Sequence, residues 1–310
     1  VISGNNHHGI LFGNIGNSVV AGNLIGTDAS GLADVNGAGF NASGSGILLL
    51  GSSGNLIGGT SAAARNVISG NNHFGVEIGG GAQNNLVQGN FIGTDITGAN
   101  ALGNSTAGVG FWGAGTGNVL GGGQTGAGNL ISGNAGAGVM VASASNGVFI
   151  QGNTIGLGVD GSSVLANVQS GVLVAGGSTN TLIGTDANGA NDAAERNVIS
   201  GNGDGGVVIV GVGTSGTLVQ GNYVGTNAAG TAARGNTYNG VAIFGGATGN
   251  SIGGTAAGAG NLLSGNGDNG VALADSGTSG NLVLGNTIGL NATQTALLGN
   301  TNQGIWIGNS

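Results

Sequence analysis

Short apolar segments recur along the whole chain, separated by runs of Gly, Asn, Ser and Thr. A Gly followed by Ile or Val opens ten of them, about every 33 residues, from Gly9 and Gly46 through to Gly304. Two further apolar segments of two or three residues follow each one before the next such glycine. Segments this short, rich in Val, Ile and Leu and bounded by turn residues, are typical of β-strands. The pattern therefore predicts about ten units of three short strands.

A longer repeat groups these units in pairs. The hexamer N-[VL]-[IL]-S-G-N begins at Asn66, Asn129, Asn197 and Asn261, which defines a module of about 65 residues. A three-stranded unit cannot bury an apolar face alone and must stack on its neighbours. Like strands then pair in parallel, and the handedness of parallel crossovers favours right-handed winding. The predicted fold is all-β, a single-stranded right-handed parallel β-helix of about ten coils, with residues 1–310 as one domain.

The two ends of the sequence do not complete a coil. The chain opens within a third strand and stops just after a first strand at residues 305–307. Repeat proteins usually protect the terminal unit with a polar cap. We therefore expect both ends to be uncapped, either because the chain is part of a longer array or because copies stack end to end.

Asparagine recurs after the strands in two series with the spacing of the module. Copies of one position that stack along a β-helix form a column in which side-chain amides can hydrogen-bond to each other. The sequence therefore predicts internal asparagine ladders. The predicted ladder residues are Asn71, Asn90, Asn134, Asn153, Asn202, Asn222, Asn266 and Asn286.

Composition removes several function classes. The 310 residues include 76 glycines, no cysteine and a formal charge of −8, with three arginines, no lysine and eleven acids. So much glycine disfavours long helices, and so few cations disfavour binding to nucleic acid. No apolar run approaches the roughly 18 residues that span a bilayer, so we expect no membrane insertion. Without cysteine the chain has neither disulfides nor thiolate metal sites.

The middle residue of each first strand is expected to face outward, because strand residues alternate between the two faces of a sheet. Most residues at this position are apolar, and Glu77 is the only charged one. An exposed apolar row is typical of an association surface. We therefore predict that copies of the chain pack against one another, laterally or end to end. The predicted self-association stripe consists of Leu11, Leu48, Met140, Leu173, Val208 and Trp306.

Acidic residues offer two candidate sites. Asp186, Asp192 and Glu195 fall together with Arg196 in the longest module, in a turn-rich segment that we interpret as a solvated loop rather than a catalytic or ion site. Asp28 and Asp95 share the motif I-G-T-D-x-x-G, where a carboxylate can bind Ca²⁺ or cap its own turn. We favour the cap, because asparagine occupies the matching position in other modules.

Histidines offer a third candidate. His7, His8 and His73 lie in the turns NNHHG and NNHFG, two coils apart, so stacking could bring them together as nitrogen ligands. Other copies of the turn carry no histidine, which favours polar turn residues over a metal centre. The sequence therefore predicts no metal, no cofactor and no catalytic residue.

The motifs N-[VL]-[IL]-S-G-N and G-[IV]-x-apolar give the chain a family resemblance. The sequence resembles right-handed parallel β-helices of the pectate-lyase-like superfamily, in particular the repeat regions of secreted bacterial surface and adhesin-type proteins. The resemblance covers essentially the whole chain and implies an extracellular or cell-surface location. Enzymes of this fold generally act on polysaccharides through clustered acids with a basic residue, and this chain has only three scattered arginines.

Two functions follow from these observations. The first is a non-catalytic extracellular structural rod, such as a fibre, stalk or adhesin passenger, that associates with copies of itself and is not an enzyme. The alternative is a carbohydrate-binding or polysaccharide-cleaving β-helix protein with surface glycans as partners. The alternative requires a groove in which acids and aromatic residues come together.

Overall fold

A computed structural model of the protein describes residues 1–35 and 44–308. The 28 strands of these residues, numbered β1 to β28 along the chain, form three parallel sheets. The first sheet contains β1 (Ile10–Gly13), β4 (Ile47–Leu50), β7 (Phe74–Gly79), β10 (Ala107–Trp112), β13 (Ala137–Ala142), β16 (Val172–Val174), β19 (Val207–Val210), β22 (Val241–Phe244), β25 (Val271–Ala274) and β28 (Ile305–Gly308).

The other two sheets have nine strands each. The second contains β2 (Val19–Val20), β5 (Leu56–Gly58), β8 (Leu86–Gln88), β11 (Val119–Gly121), β14 (Phe149–Gln151), β17 (Leu182–Gly184), β20 (Leu218–Gln220), β23 (Ser251–Gly253) and β26 (Leu282–Leu284). The third contains β3 (Leu24–Ile25), β6 (Val67–Ile68), β9 (Phe91–Ile92), β12 (Leu130–Ile131), β15 (Thr154–Ile155), β18 (Val198–Ile199), β21 (Tyr223–Val224), β24 (Leu262–Leu263) and β27 (Thr287–Ile288).

Each sheet takes one strand from every coil, so strand order within a sheet follows the chain in steps of three. The described residues make nine complete coils and a tenth strand of the first sheet. This confirms the predicted parallel β-helix with three strands per coil.

Helical structure is confined to two short segments of the described residues. These are α1 (Asp192–Glu195) and a 3₁₀ turn at Ala62–Ala64. Neither has the length and apolar character that a membrane-crossing helix requires.

The core lies inside the coils and is built from the inward side chains of all three sheets. In β7, Val76 and Ile78 are fully buried, and Ile92 from the third sheet packs in the same cluster. The chain turns into this core at Gly75, where a Cβ atom would lie 2.7 Å from the Ile92 side chain and 2.7 Å from the Gly108 carbonyl oxygen. A larger residue does not fit there, which explains the glycine that opens each first strand.

The 65-residue module has a structural cause: every second coil carries a long loop after its third strand. An antiparallel bridge closes each loop, and successive loops are joined by backbone hydrogen bonds such as Ile96 N–H to the Gly31 carbonyl. The intervening coils turn directly into the next first strand. The closing bridges are Thr27–Asp34, Thr94–Ala101, Leu157–Val164, Thr226–Ala233 and Leu290–Leu297.

The long loops are capped by the residues that the I-G-T-D motif singled out. The Asp28 carboxylate accepts hydrogen bonds from the Ser30 hydroxyl and from backbone N–H groups later in the loop, and these bonds hold its pKa below the usual value. At Asp95, burial by itself would raise the carboxyl pKa, but hydrogen bonds from residues of the same loop outweigh burial and lower the pKa. Asn227 and Asn291 accept the equivalent backbone bonds. The interpretation of these residues as turn caps is therefore confirmed.

The predicted asparagine ladders are present, and both are longer than the sequence series indicated. In each column the Nδ2 of one asparagine donates to the Oδ1 of the next, over 2.8–3.2 Å. One column runs through Asn71, Asn104, Asn134, Asn167, Asn202, Asn236, Asn266 and Asn300. The other runs through Asn23, Asn66, Asn90, Asn129, Asn153, Asn197, Asn222, Asn261 and Asn286.

A third column, which the sequence analysis missed, lies just before the strands of the second sheet. Asn55, Asn85 and Asn118 form its first part, and Asn250 bonds to Asn281 further along. Between the two parts the column is interrupted by Val148, Thr181 and Thr217. The buried hydroxyls of the two threonines have no hydrogen-bond partner among the described residues.

Candidate functional site

The residues of the predicted stripe lie in one continuous row on the outer face of the first sheet. The strand register pairs Leu11 with Leu48, Leu48 with Glu77, and so on through Met140, Leu173 and Val208 to Trp306. The row is not uniformly open to solvent. Leu11 is 58% exposed, whereas Val208 is only 6% exposed.

An open depression of about 260 Å³ interrupts this row. Its lining consists of His73, Phe74, Glu77, Thr106, Trp112 and Met140, which come from β7, β10 and β13 and from the turns that lead into β7 and β10. Polar and apolar side chains meet here, as is usual for sites that bind small molecules or sugars.

Glu77 is the polar centre of this site. Its Oε2 accepts a 2.6 Å hydrogen bond from the Ser45 hydroxyl and lies 3.5 Å from His73 Nδ1. The Ser45 hydroxyl oxygen also lies 3.3 Å from His73 Nδ1. Because the Ser45 proton is donated to Glu77, the Ser45 oxygen can accept only from an Nδ1–H of His73. This arrangement leaves His73 Nε2 as the ring nitrogen able to exchange a proton with a bound molecule.

His8 supports the same cluster from the adjoining coil. Its Nδ1 accepts a 3.1 Å hydrogen bond from the Ser45 backbone N–H. Burial lowers the pKa of His8, Glu77 opposes this effect, and the neighbouring His7 and His73 lower the pKa further. Ser45 is 1% exposed and serves to orient the other groups; its burial and its donation to Glu77 do not suit a nucleophile.

Aromatic residues form the other side of the depression. Trp112 at the end of β10 is 48% exposed, whereas Phe74 is only 2% exposed. The Phe74 ring contacts His73 edge-on, with ring centroids 4.4 Å apart, and lies 6.5 Å from the Trp112 ring. Gly110 makes room for it, because a Cβ atom there would lie 2.7 Å from the Phe74 ring. Phe74 thus supports both the imidazole and the indole.

A second acidic group lies elsewhere, in the loop around α1. The carboxylate oxygens of Asp186, Asp192 and Glu195 lie within 4.8 Å of one another, so these three residues could supply oxygen ligands to a cation. They also accept hydrogen bonds from their own loop: Glu195 from the Asp186 N–H and Asp192 from the Gly189 N–H. These bonds agree with the interpretation of the segment as a loop stabilised by its own acids.

Sequence reasoning interpreted the histidines as separate polar turn residues, and the structure brings two of them together. His8 and His73 both contact Ser45, which lies in the coil between them. The available signal was their spacing of two coils, together with Glu77 as the single charge in the outward row. Ser45 gave no signal of its own, because its role depends on which residues stack above and below it.

The described residues define the chain as a parallel β-helix protein. Similar solved structures include a periplasmic alginate epimerase AlgG (11% identity, 86% of this chain, 61% of that chain, TM-score 0.44). They also include the mannuronan C-5 epimerase AlgE4 A-module of Azotobacter vinelandii (15% identity, 91% and 71%, TM-score 0.41). An alginate lyase from a Paenibacillus species is 15% identical over 78% of this chain and 91% of that chain, with a TM-score of 0.35.

These comparisons describe a likeness of fold. The chain spans 61% of the length of the AlgG chain that it matches. No model of a known protein family matches the sequence, and no curated protein matches it. Membership of a surface or adhesin-type family therefore stays a prediction.

The prediction that the chain is not an enzyme is corrected by these findings. Solved chains similar in fold include alginate epimerases and an alginate lyase, so a parallel β-helix gives no ground for excluding catalysis. The sequence argument rested on the absence of lysine and on three scattered arginines. Coil stacking nevertheless places a carboxylate and an imidazole together, at Glu77, His73 and Ser45.

Proposed function

We propose that the chain is a carbohydrate-active β-helix protein that binds a polysaccharide at the depression around Glu77 and Trp112. The observation that carries the proposal is an exposed indole beside a carboxylate and imidazole pair on the outer face of the first sheet. Sugar rings combine apolar C–H faces with polar hydroxyl groups. An indole can cover the first, and Glu77 and His73 can hydrogen-bond to the second.

The same pair gives the site a means of moving protons. Ser45 and His73 engage Oε2 of Glu77, and no hydrogen bond among the described residues engages Oε1. A carboxyl group held in this way, beside an imidazole, has the composition of a general acid and base. We therefore include modification of the bound polysaccharide in the proposal, with Glu77 and His73 as the proton-transfer residues.

Binding to a panel of soluble polysaccharides tests the first part of this proposal. Trp112→Ala should weaken binding by about tenfold or more, which corresponds to about 1.4 kcal/mol. Trp306→Ala is the matched control, because Trp306 lies in the same outer row several coils away and should leave binding unchanged. Loss of binding in both variants, or in neither, would contradict the assignment of this site.

Turnover is measured on the same panel by the appearance of new chain ends or altered sugars. Glu77→Gln keeps the shape of the side chain but removes its acid, so activity should fall while binding stays within a few-fold of the wild type. Asp268→Asn serves as the control acid, because Asp268 lies outside the depression. If the Glu77→Gln variant is as active as the wild type, Glu77 takes no part in proton transfer.

Self-association of the chain is a separate proposal. The exposed Leu11 supports it, whereas the burial of Val208 within the row shows that only parts of the row are open. Sedimentation over a concentration series tests it, and a single monomeric species at every concentration would contradict it.

A periplasmic or extracellular location belongs with the proposed function, because polysaccharide chains outside the cell are the material that such a surface would meet. Fractionation of the source cells tests this proposal. Recovery of the protein in the cytoplasm alone would contradict it.

A further inference from the structure

Beside the outward row of the first sheet lies a second set of stacked positions, which we call the turn column. This column lies in the turns before the first strands and is joined by backbone hydrogen bonds from coil to coil. Thr106 N–H donates to the His73 carbonyl, Tyr238 N–H to the Asp204 carbonyl, and Asp268 N–H to the Tyr238 carbonyl. We call the outward row and this turn column together the site face.

Acids are spread along the site face. Glu77 lies in the depression, and Asp204 and Asp268 occupy the turn position that His73 occupies in its own coil. Among the described residues, their side-chain partners are neutral: the Ser170 hydroxyl donates to Asp204, and the Asn302 amide donates to Asp268. No arginine or lysine therefore pairs with these two carboxylates in the contacts that hold them.

The arginines lie at other parts of the coils, and the sequence contains no lysine. Arg65 lies 4.0 Å over the Phe91 ring and donates to the Gly89 carbonyl, beside β9 of the third sheet. Arg196 lies 4.1 Å over the Tyr223 ring beside β21 of the same sheet. Arg234 donates to the Ser162 hydroxyl in a neighbouring long loop.

Within residues 1–35 and 44–308, histidine is consequently the only side chain on the site face that can become positively charged. The three histidines of the sequence are His7, His8 and His73, and they all lie at one end of this face. Histidine loses its charge between about pH 5 and 8. At pH values above this range, the formal charge of the site face is set by its carboxylates.

We propose that the site takes a neutral polysaccharide, one that carries neither carboxylate nor sulfate groups. This inference rests on the proposed polysaccharide site. A polyuronate would place one negative charge per sugar unit along a face that bears carboxylates and no arginine or lysine, and like charges at an interface disfavour binding. Hydroxyl groups of a neutral chain carry no charge and meet no such repulsion.

The test compares the affinity of the full chain for a neutral β-glucan and a galactomannan with its affinity for alginate and polygalacturonate. All are measured at slightly alkaline pH, at low and at high salt. We expect a neutral chain to bind at both salt concentrations and the polyuronates to bind at least about tenfold more weakly at low salt. Added salt should narrow this difference, because it screens exposed charges.

A charge variant provides a second readout. Asp204→Asn combined with Asp268→Asn removes two acids of the site face outside the depression, and amide side chains can keep a hydrogen bond to the same neighbours. Affinity for the neutral chain should stay unchanged, while binding of the polyuronates should improve. If the ratio of neutral-chain affinity to polyuronate affinity is the same in this variant as in the wild type, the electrostatic argument is wrong.

The outcomes separate this inference from the function on which it rests. Polyuronate binding as strong as neutral binding, and lost in Trp112→Ala, would overturn the neutral substrate class and leave the site in place. Absence of binding to every polysaccharide would overturn the proposed function and this inference with it.

Discussion

Replacing Asn90 with leucine tests whether the asparagine ladders stabilise the coils. Asn90 is fully buried, and its Oδ1 accepts hydrogen bonds from both the backbone N–H and the side-chain Nδ2 of Asn66. Its own Nδ2 donates to the carbonyl oxygens of Ile57 and Gln88 and to Oδ1 of Asn129. Leucine has the same branching and the same number of heavy atoms, so it leaves no cavity; its methyl groups are bulkier than the planar amide, so some crowding adds to the loss of the polar contacts.

The expected cost follows from the groups left without a partner. Asn90→Leu removes the acceptor of two buried donors on Asn66, and each buried unpaired group costs about 1–3 kcal/mol. We therefore expect the free energy of unfolding to fall by about 2–6 kcal/mol. Burial of the leucine methyl groups offsets part of this loss, so a value near the lower limit is the expected one.

Urea denaturation followed by circular dichroism measures this change, and hydrogen exchange at the Asn66 N–H measures it locally. Thr116→Ala, at an exposed position, should change stability by no more than about 0.5 kcal/mol. Asn302→Leu applies the same substitution at an exposed site and controls for the change of residue type. If Asn90→Leu unfolds at the same urea concentration as both controls, the column does not stabilise the fold and the reasoning is wrong.

Three further predictions concern the long loops, the third column and the site. Asp28→Asn combined with Asp95→Asn should make the melting temperature fall less steeply in acid. Folding lowers the pKa of both carboxyl groups, so their contribution to stability is complete above the unfolded pKa of about 3.9 and is lost as the pH falls below that value. Thr181→Val should leave the free energy of unfolding unchanged or raise it by up to about 1 kcal/mol, because the buried Thr181 hydroxyl has no partner among the described residues. Gly110→Leu should abolish polysaccharide binding while circular dichroism stays native, because a side chain there displaces the Phe74 ring.

Each of these has a result that would count against it. An acid transition as steep in the double variant as in the wild type would mean that other groups control acid unfolding. Marked destabilisation by Thr181→Val would show that the threonine hydroxyl has a partner in solution. Full polysaccharide binding by Gly110→Leu would place the ligand away from the Phe74 ring.

The sequence predicted the repeating parts of the fold because repetition is visible in one dimension. Ten glycine-led apolar segments, each with two shorter ones after it, are enough to indicate three strands per coil. Asn134 and Asn202 were assigned to a ladder because they recur within one hexamer motif. Asn104 and Asn167 were missed, because they follow long loops whose sequences differ from that motif.

The site was harder to predict, because it depends on which coil lies next to which. Ser45 is 28 residues from His73 and 32 from Glu77, yet its hydroxyl oxygen lies within 3.3 Å of both. Variable loop lengths hide this alignment in the sequence. The exposure of the outward row was also predicted too simply, because it assumed that alternation alone decides which residues meet solvent, whereas Val208 is covered.

The sequence by itself determined the local chemistry: short apolar strands, glycine at the turns, asparagine at the strand ends and a negative net charge. These properties depend on residue type and period, and every coil repeats them. Only the tertiary structure decided the lateral register of the coils, and with it the grouping of His8, Ser45, His73 and Glu77. That register is fixed by core packing and by hydrogen bonds between coils, which join residues 24, 47 or as many as 72 positions apart and leave no local signature.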